Sequence, residues 1–387
     1  MNIKFGFYDL HKRFAKLSEA GDALERLNAV IDWEMFRGKL ERIDHKERKP
    51  MDRVVMFKKL ILQNIYGLSD EALEYQVSDR LTFMQFLGID LAGTVPDAKT
   101  VWVFRERLRE ATVFDRLFEQ FHRALVAQGV KLNSGQIVDA SFVQAPRQRN
   151  TREENETIKD GAIPKDWTKN AAKRRQKDID ARWTKKNDED HYGYKTHVSV
   201  DRKTKLVIEE RATAANVHDS QVFDELLGKS KTRGPDVWAD SAYRSAEQEQ
   251  RLRRRGFCSH VHERAYRGRP LTGALQRENR RKSRVRVRVE HVFATMTQMG
   301  GMTVRTIGIE RMRVCSTMKA LSYNLKRLEV LIRLRKNPID EIGVPALWTM
   351  AQWRQRSASA ESEKPRIPRR IAWFIDSAAN FPHFQSS

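Results

Sequence analysis

Apolar residues in the first third of the chain recur at helical spacing. Within residues 51–66 they fall every three or four positions, which predicts an amphipathic helix. These residues are Val54, Val55, Phe57, Leu60, Ile61 and Ile65. Gly67 follows as the predicted end of this helix, and Ser69 or Asp70 can cap the next one. Two further helices are predicted, over residues 71–86 and 99–128. We therefore expect residues 1–130 to form an all-helical domain.

Helices joined by short turns in a basic protein are typical of a helix-turn-helix DNA reader. Short helical hairpins also occur simply as packed bundles. The residues alone leave both interpretations open for this domain.

From residue 135 the spacing changes to the alternation of β-strands. Strands are predicted in GQIVDASFVQAP, HYGYKTHVSVD, KLVIEERATA, DVWADSAY and FCSHVHERAY, and helices in SQVFDELLG and AEQEQRLRRRG. Asp219 and Ser220 are the predicted cap of the first of these helices. Residues 147–190 are polar and charged, so we expect an exposed insertion or a mobile loop there. This order of elements implies a mixed α/β sheet domain over residues 131–335.

The densest basic run lies at residues 277–288, with seven Lys or Arg and one Glu. Its VRVRV alternation is compatible with a strand, but a longer window has a helical period. The apolar positions in that window are Val285, Val289, Val292, Phe293 and Met296. A continuous helix would place Arg286 and Glu290 on one face. Another amphipathic helix is predicted over residues 318–335. The tail, residues 336–387, is predicted to be irregular, with a linker at 356–370 and weak docking of 371–384.

Composition narrows the class of partner. The chain has 387 residues, 73 Lys and Arg against 51 Asp and Glu, and a formal net charge of +22. This surplus favours a polyanion, nucleic acid before a membrane surface. The only cysteines, Cys258 and Cys315, exclude a disulfide scaffold and a four-cysteine zinc site. No apolar run reaches the roughly 20 residues needed to span a bilayer, and the first residues do not read as a signal peptide.

Three acidic residues stand in apolar surroundings. Asp139 follows a predicted strand, Asp240 ends another, and Glu290 interrupts the apolar stripe of a helix. Carboxylates in such places need a cation to stay ionised. Oxygen ligands of this kind suit Mg²⁺ or Mn²⁺, and a pair of such ions about 4 Å apart supports phosphoryl transfer. Each acid taken singly is also explained as a turn-former or a salt-bridge partner.

Several segments in order resemble a DDE transposase of bacterial insertion sequences, closest to the insertion-sequence-five family. They are IVDASFVQAP, DARWTKK with HYGYKTHVSVD, ATAANVHDSQ, VWADSAYRS and RVRVRVEHVFATM. The leader FKKLILQNIYGLSDEALEYQVSDRLTFMQFLGI, followed by PDAKTVWVFRERL, resembles the leader domain of that family. The resemblance covers roughly residues 50–330. It implies a ribonuclease-H-like mixed sheet flanked by helices, after a helical DNA-binding or dimerisation domain.

The resemblance also implies site residues. Asp139, Asp240 and Glu290 would be the metal-binding triad for Mg²⁺, with Mn²⁺ as a substitute. Arg286 matches an Arg that precedes the Glu in related transposases and would steady phosphate or Glu290. The Tyr and Lys of the same motif are replaced here by Ser283 and Thr297. The implied partners are double-stranded DNA, as terminal inverted repeats and as target, and a second copy in a dimer or larger synaptic complex. The implied location is the bacterial cytoplasm, with the nucleoid.

Other residues have a functional and a plain interpretation side by side. The predicted DNA contacts are Lys195, Arg280, Arg281, Lys282, Arg284 and Arg288; Lys195 is equally well explained as a solvated strand lysine. Asp219 is interpreted as a helix cap and His218 as a packing or positioning residue. Cys258, His260 and His262 would share one side of a strand, but a zinc site there lacks a fourth ligand. Trp183 can stack on an exposed base or anchor the insertion. Three methionines, Met296, Met299 and Met302, are expected to fill the core.

The sequence thus predicts an enzyme that cleaves DNA by metal-dependent hydrolysis and joins 3′-hydroxyl ends to target DNA by transesterification. The alternative is a non-catalytic DNA-binding protein, either a repressor or a decayed transposase, because the motif Tyr and Lys are missing. A general nuclease and a structural RNA-binding protein are further alternatives. Metal-dependent turnover and strand joining separate these classes, whereas DNA affinity alone does not.

Overall fold

A computed structural model describes residues 7–43, 51–132, 134–186, 188–227 and 235–334. The predicted tail at 336–387, with its linker and docking segment, lies outside the described residues. Within them, no helix is both long and apolar enough to cross a membrane.

The N-terminal region is helical, as predicted. Its helices are α1 (Phe7–Glu19), α2 (Ala23–Val30), α3 (Arg37–Leu40), α4 (Arg53–Tyr66), α5 (Asp70–Asp79), α6 (Leu81–Leu87), α7 (Ala98–Glu110) and α8 (Val113–Ala127). The α4 helix ends at Gly67 in the left-handed conformation (φ 64°), and the Ser69 hydroxyl caps α5 by accepting from the Ala72 amide.

Two of the predicted helices are each divided in the structure. Residues 71–86 split into α5 and α6 because Arg80 is extended. Residues 99–128 split into α7 and α8 at Thr112, which has a φ of 50°. Neither break is marked by Gly or Pro, so the apolar spacing runs through both of them.

The second region is built on one mixed sheet. Its strands are β1 (Gln136–Gln144), β2 (Arg182–Lys186), β3 (Glu189–Asp201), β4 (Val207–Ala214), β5 (Asp236–Trp238) and β6 (Cys258–Ser259). Its helices are α9 (Arg152–Lys159), α10 (Lys165–Lys169), α11 (Ala171–Arg175), α12 (Phe223–Leu226), α13 (Ala246–Arg254), α14 (Gly273–Arg286), α15 (Arg288–Gln298) and α16 (Ile309–Leu334). The strand predicted at FCSHVHERAY is therefore reduced to the two residues of β6.

The order and the directions of the strands identify the fold class of the sheet. β3 pairs antiparallel with β1, β4 and β2, whereas β5 runs parallel to β1 and β6 runs parallel to β5. The order across the sheet is thus β4–β3–β1–β5–β6, and β2 pairs with the start of β3. This is the ribonuclease-H-like mixed sheet flanked by helices that was expected. At Gly193, where β3 meets both β1 and β2, a Cβ would lie 2.4 Å from the Val143 carbonyl oxygen, so only glycine fits.

The two faces of the sheet have separate cores. Ile137, Val198 and Trp238 belong to a core that continues through α15 and α16 into the N-terminal helices. On the opposite face, Val138 and Val237 pack in a core with residues of α12 and α13. Because α16 also packs against α2, α4, α7 and α8, the helical region and the sheet region share one apolar core. The domain boundary near residue 130 remains a prediction.

The charged segment 147–190 is mostly exposed, as one of the two expectations has it, but it contains regular secondary structure, which corrects the alternative of a mobile loop. It contains α9, α10, α11 and β2, and the Trp167 side chain is fully buried. The Trp167 indole Nε1 donates to Glu154 Oε1 at 2.7 Å, and Thr151 and Glu154 form a reciprocal capping box at the start of α9. One buried aromatic residue and a capped helix therefore organise this polar sequence.

Candidate active site

Asp139 and Asp240 end up on the same face of the sheet. Asp139 lies within β1, opposite Val198, whose side chain is in the core. Asp240 follows β5 by two residues and is itself extended (φ −77°, ψ 176°). Ile137 pairs with Trp238 in the parallel β1–β5 register, so both acids lie two residues beyond this pair. Side chains alternate along a strand, and the two carboxylates therefore share the face covered by α15.

Glu290 comes from the helix on that face, but not as predicted. The expected continuous helix breaks at Val287, so Arg286 ends α14 and Glu290 lies in the first turn of α15. Glu290 is exposed, beside the buried Val289. It therefore borders the apolar stripe instead of interrupting it.

Arg286 contacts the first acid rather than the third. Its Nη1 donates to Asp139 Oδ2 at 2.5 Å, with the two side chains 25% and 14% exposed. Burial raises the pKa of Asp139 to about 6; the Arg286 guanidinium opposes this shift, and the carboxylates of Asp240 and Glu290 add to it. The three acids thus act on one another electrostatically at one place.

The donor set suits a hard divalent cation, since carboxylate oxygens are the ligands that Mg²⁺ and Mn²⁺ prefer. Among the described residues, however, no three acidic, histidine or cysteine side chains are close enough together to form a ready-made metal site. Asp139 is instead paired with Arg286. The three acids fit such a cation by the chemistry of their oxygens.

Two family models of known proteins match this chain. Residues 130–325, just over half of the chain, match the family model described as a transposase DDE domain. The chain belongs to the transposase DDE domain family. A second model, described as a transposase domain, matches residues 12–107. The expected resemblance to insertion-sequence transposases is thereby confirmed, while the closer placement in the insertion-sequence-five family remains a prediction.

One solved structure matches over most of its length. It is a cryo-EM structure of the piggyBac transposase synaptic complex with hairpin DNA, 12% identical in sequence, with 95% of this chain and 86% of that chain covered. The TM-score is 0.39, which is too low to add to the fold assignment.

In this transposase, Lys195 lies away from the acids. It pairs with Phe142 across β1 and β3, three residues from the Asp139–Val198 pair, and so points to the other face of the sheet. There its Nζ donates to Asp219 Oδ1 at 2.8 Å and to the Val217 carbonyl. The structure does not bring Lys195 to the carboxylates, so its predicted DNA contact is not favoured by this geometry.

The predicted cap at Asp219 is wrong, whereas His218 has a positioning role, one of the two roles expected for it. The His218 ring accepts from the Ser220 amide and is the cap of the 3-10 turn that follows. Asp219 is instead the ion-pair partner of Lys195, and its Oδ1 is 3.9 Å from Nδ1 of the fully buried His197. The local sequence indicates a cap, but the Asp219 carboxylate instead binds Lys195, which lies 24 residues earlier in the sequence.

The basic residues of α14 divide into two groups. Arg280, Arg281 and Arg284 are exposed on one helix face, as is Arg288 just beyond the break. Lys282 is only 7% exposed; its Nζ donates to the Val261 carbonyl and lies 3.0 Å from Glu278 Oε1. The four arginines are therefore exposed, with Arg288 Nη1 donating to the Arg202 carbonyl at 3.0 Å, whereas Lys282 is held inside the fold.

Ser283 and Thr297, which replace the Tyr and Lys of the motif, each make a contact within the protein. The Ser283 hydroxyl is 3.4 Å from His262 Nε2, and the Thr297 hydroxyl donates to the Phe293 carbonyl in its own helix.

The three residues Cys258, His260 and His262 are not drawn together as a metal site among the described residues. His260 is occupied by Asp236 Oδ1 at 2.9 Å and stacks on Trp238 with ring centroids 4.8 Å apart. Burial, with Arg286 and Lys282 nearby, lowers the pKa of His262. These residues brace the edge of the sheet beside the acids.

Trp183 is only partly packed in the fold, whereas the three methionines contribute to the core as expected. Trp183 is 48% exposed, packs on Tyr192 and lies under the Arg147 guanidinium. Met296 and Met299 are buried in the core, and Met302 packs against it.

Sequence reasoning missed Tyr243. It lies in the 3-10 turn that Asp240 caps, and its hydroxyl is buried with no hydrogen-bond partner in the described part of the chain. Burial holds the pKa of Tyr243 well above its usual range, and the charges of Asp219, Asp139 and Asp240 add to this. Its only sequence signal was its position three residues after Asp240.

Proposed function

We propose that this protein is a DNA transposase that binds the terminal inverted repeats of an insertion sequence, cleaves DNA strands and joins the freed 3′-hydroxyl ends to target DNA. The observation that carries the proposal is the placement of Asp139 and Asp240 on one sheet face, under the helix of Glu290. Membership of the transposase DDE domain family supports the same reading.

Asp139, Asp240 and Glu290 are the residues that would hold Mg²⁺, with Mn²⁺ as a substitute. Divalent ions at such a site supply activation of an attacking hydroxyl and stabilisation of the leaving oxygen. The electrostatic interaction of Asp139 with the other two acids supports this assignment.

The chain's own cations hold and orient the DNA. The exposed arginines of α14 and Arg288 would track the phosphate backbone, and Arg286 would donate to the phosphate that reaches the acids. With that phosphate held, water attacks phosphorus, the bond to the 3′ oxygen breaks and a 3′-hydroxyl is released. The oxygen of this hydroxyl then bonds to the phosphorus of a target phosphodiester while the target's own P–O3′ bond breaks and the departing 3′ oxygen takes up the proton, so no covalent bond to the protein forms.

The helices α4 to α8 would recognise the element ends, as part of a DNA-binding or dimerisation domain at residues 1–130. Since two ends must be brought together, we propose a homodimer or larger synaptic complex, acting at the nucleoid in the bacterial cytoplasm.

One observation favours a second candidate, a non-catalytic DNA-binding derivative. Ser283 and Thr297 occupy the positions of the motif Tyr and Lys and are engaged locally. Such a protein would keep DNA affinity and lack metal-dependent cutting.

The proposal is tested with DNA that flanks the reading frame, which should carry short inverted repeats. Wild-type protein and Asp240→Asn are incubated with it in Mg²⁺, Mn²⁺ or EDTA, and cut ends are mapped. Asn retains a side-chain oxygen for the cap on Ala242, so the fold should be kept. The matched control is Asp188→Asn, whose side chain is 98% exposed and whose φ of 64° suits Asn.

Divalent-dependent cuts at the repeat boundaries are expected for wild type and Asp188→Asn, and none for Asp240→Asn with DNA binding retained. Full cutting by Asp240→Asn would refute the role of the acids.

A further inference from the structure

We propose that Arg286 is a latch that makes DNA binding and divalent-cation binding cooperative. In the free protein its guanidinium holds Asp139; when DNA arrives, the guanidinium moves to a phosphate and releases Asp139 for the cation. This inference rests on the proposed function, because it takes the three acids as the cation site and DNA as the substrate.

The first support is that both carboxylate oxygens of Asp139 already accept a hydrogen bond. Its Oδ2 accepts from Arg286 Nη1, and its Oδ1 accepts from the Ala140 amide at 2.9 Å. A cation approaching this carboxylate meets a positive charge already in contact with it. Cation binding to the free protein must therefore displace Arg286 or be weakened by it.

The second support is that Arg286 is held at one point. Its contact to Asp139 uses Nη1, while its buried Nε has no acceptor in the described residues. Arg–carboxylate pairs of the strong kind make two parallel bonds. The guanidinium thus keeps donors for a second partner, and a phosphate offers the planar pair of oxygens that it prefers.

The third support is position. Arg286 contacts Asp139, and its side chain is 25% exposed. Exposed arginines flank it in sequence, with Arg284 before it and Arg288 after it. A phosphodiester brought to the acids by these arginines reaches Arg286 as its nearest donor. Transfer of Arg286 from carboxylate to phosphate needs only a side-chain movement.

The consequence is reciprocal. If DNA raises the affinity for the cation by some factor, the cation must raise the affinity for DNA by the same factor. Free protein would then load cation poorly, so that the chemistry is confined to DNA-bound complexes.

The test measures Mn²⁺ binding by the electron paramagnetic resonance signal of free Mn²⁺. Full-length protein is titrated alone and with a duplex of about 20 base pairs, two helical turns, and duplex alone is titrated for subtraction. The variants are Arg286→Gln, Arg286→Lys, Asp139→Asn and the matched control Arg284→Gln, which removes an exposed arginine of the same helix. Circular dichroism checks that each variant is folded.

Wild type is expected to bind Mn²⁺ about 10-fold more tightly with duplex than without, within the range usual for coupled sites. Arg286→Gln should bind Mn²⁺ about 10-fold more tightly than wild type without DNA, and duplex should add little. Arg284→Gln should weaken duplex binding but keep the wild-type coupling. Arg286→Lys keeps the charge and should restore most of the coupling, which a purely structural role for Arg286 does not predict.

The latch is overturned if Arg286→Gln binds Mn²⁺ without DNA as weakly as wild type while Asp139→Asn abolishes binding. The proposed function still stands in that case. If Asp139→Asn binds Mn²⁺ as well as wild type, the cation site itself is wrong, and the latch falls with it.

Discussion

Glu210 is a buried acid whose protonation should control the stability of the fold. It lies in β4, is 7% exposed, and accepts hydrogen bonds from the hydroxyls of Ser316 and Thr317 in α16. Of the charged groups that face it, Asp115 from α8 repels its ionised form and Arg211 attracts it. Glu210 therefore joins the sheet to the longest helix through an ionisable group.

Burial raises the pKa of Glu210 to about 7, against the two hydroxyl hydrogen bonds, which lower it. The usual value for Glu is near 4.5. Because the folded state then holds the Glu210 proton more tightly than the unfolded state, the contribution of Glu210 to stability is greatest at low pH and falls as pH rises through this window. The rise of the Glu210 pKa from 4.5 to about 7 corresponds to about 3 kcal/mol of stability, of which about 2–3 kcal/mol is lost between pH 5 and pH 8.

Glu210→Gln should remove this dependence, since Gln has nearly the same shape and no charge. The free energy of unfolding of wild type and variant is measured by urea denaturation from pH 5 to pH 8. The variant is expected to gain about 2 kcal/mol relative to wild type across that range. Glu119→Gln, whose carboxylate is 62% exposed, is the control and should stay within about 0.5 kcal/mol of wild type. Parallel pH profiles for wild type and Glu210→Gln would refute the reasoning.

Three further predictions concern single side chains. Trp167→Ala should cost about 3 kcal/mol of local stability by emptying a fully buried site, seen as faster proteolysis within residues 147–180; unchanged cleavage would show that Trp167 does not organise this segment. Lys195→Ala should destabilise the fold by about 1–3 kcal/mol by leaving Asp219 unpaired, with duplex affinity nearly unchanged in a filter-binding assay; a large loss of affinity would restore Lys195 as a DNA contact. Arg284→Gln should lower the slope of log affinity against log salt by about 0.9 if this exposed arginine neutralises one phosphate, and an unchanged slope would place DNA elsewhere.

The sheet and the positions of its acids could be predicted because both depend on local sequence. Alternation over GQIVDASFVQAP marks β1, and Asp139 stands out as an acid within an apolar strand. The β5 strand is only three residues long, yet its apolar run still identified Asp240 as the following acid. The parallel register that brings these two strands side by side cannot be predicted from the local sequence.

The parts that were mispredicted depend on contacts between distant residues. The break at Val287 lies in a run without Gly or Pro, so the spacing of apolar residues continues through it. Arg286 contacts Asp139, 147 residues earlier, and the local sequence does not reveal this contact. Trp167 is buried within a segment whose composition is that of a surface. The Arg286–Asp139 and Trp167–Glu154 hydrogen bonds are tertiary contacts that the local pattern does not reveal.

The most direct test of the central claim is strand joining. A duplex carrying the element end with a pre-cut 3′-hydroxyl is incubated with supercoiled plasmid and wild-type protein in Mg²⁺, and the products are separated on agarose and sequenced. The account predicts covalent joining of that 3′ end to plasmid DNA, abolished by EDTA and in Asp240→Asn. Tight binding of the duplex with no joined product under any divalent cation would contradict it and identify a DNA-binding protein without catalysis.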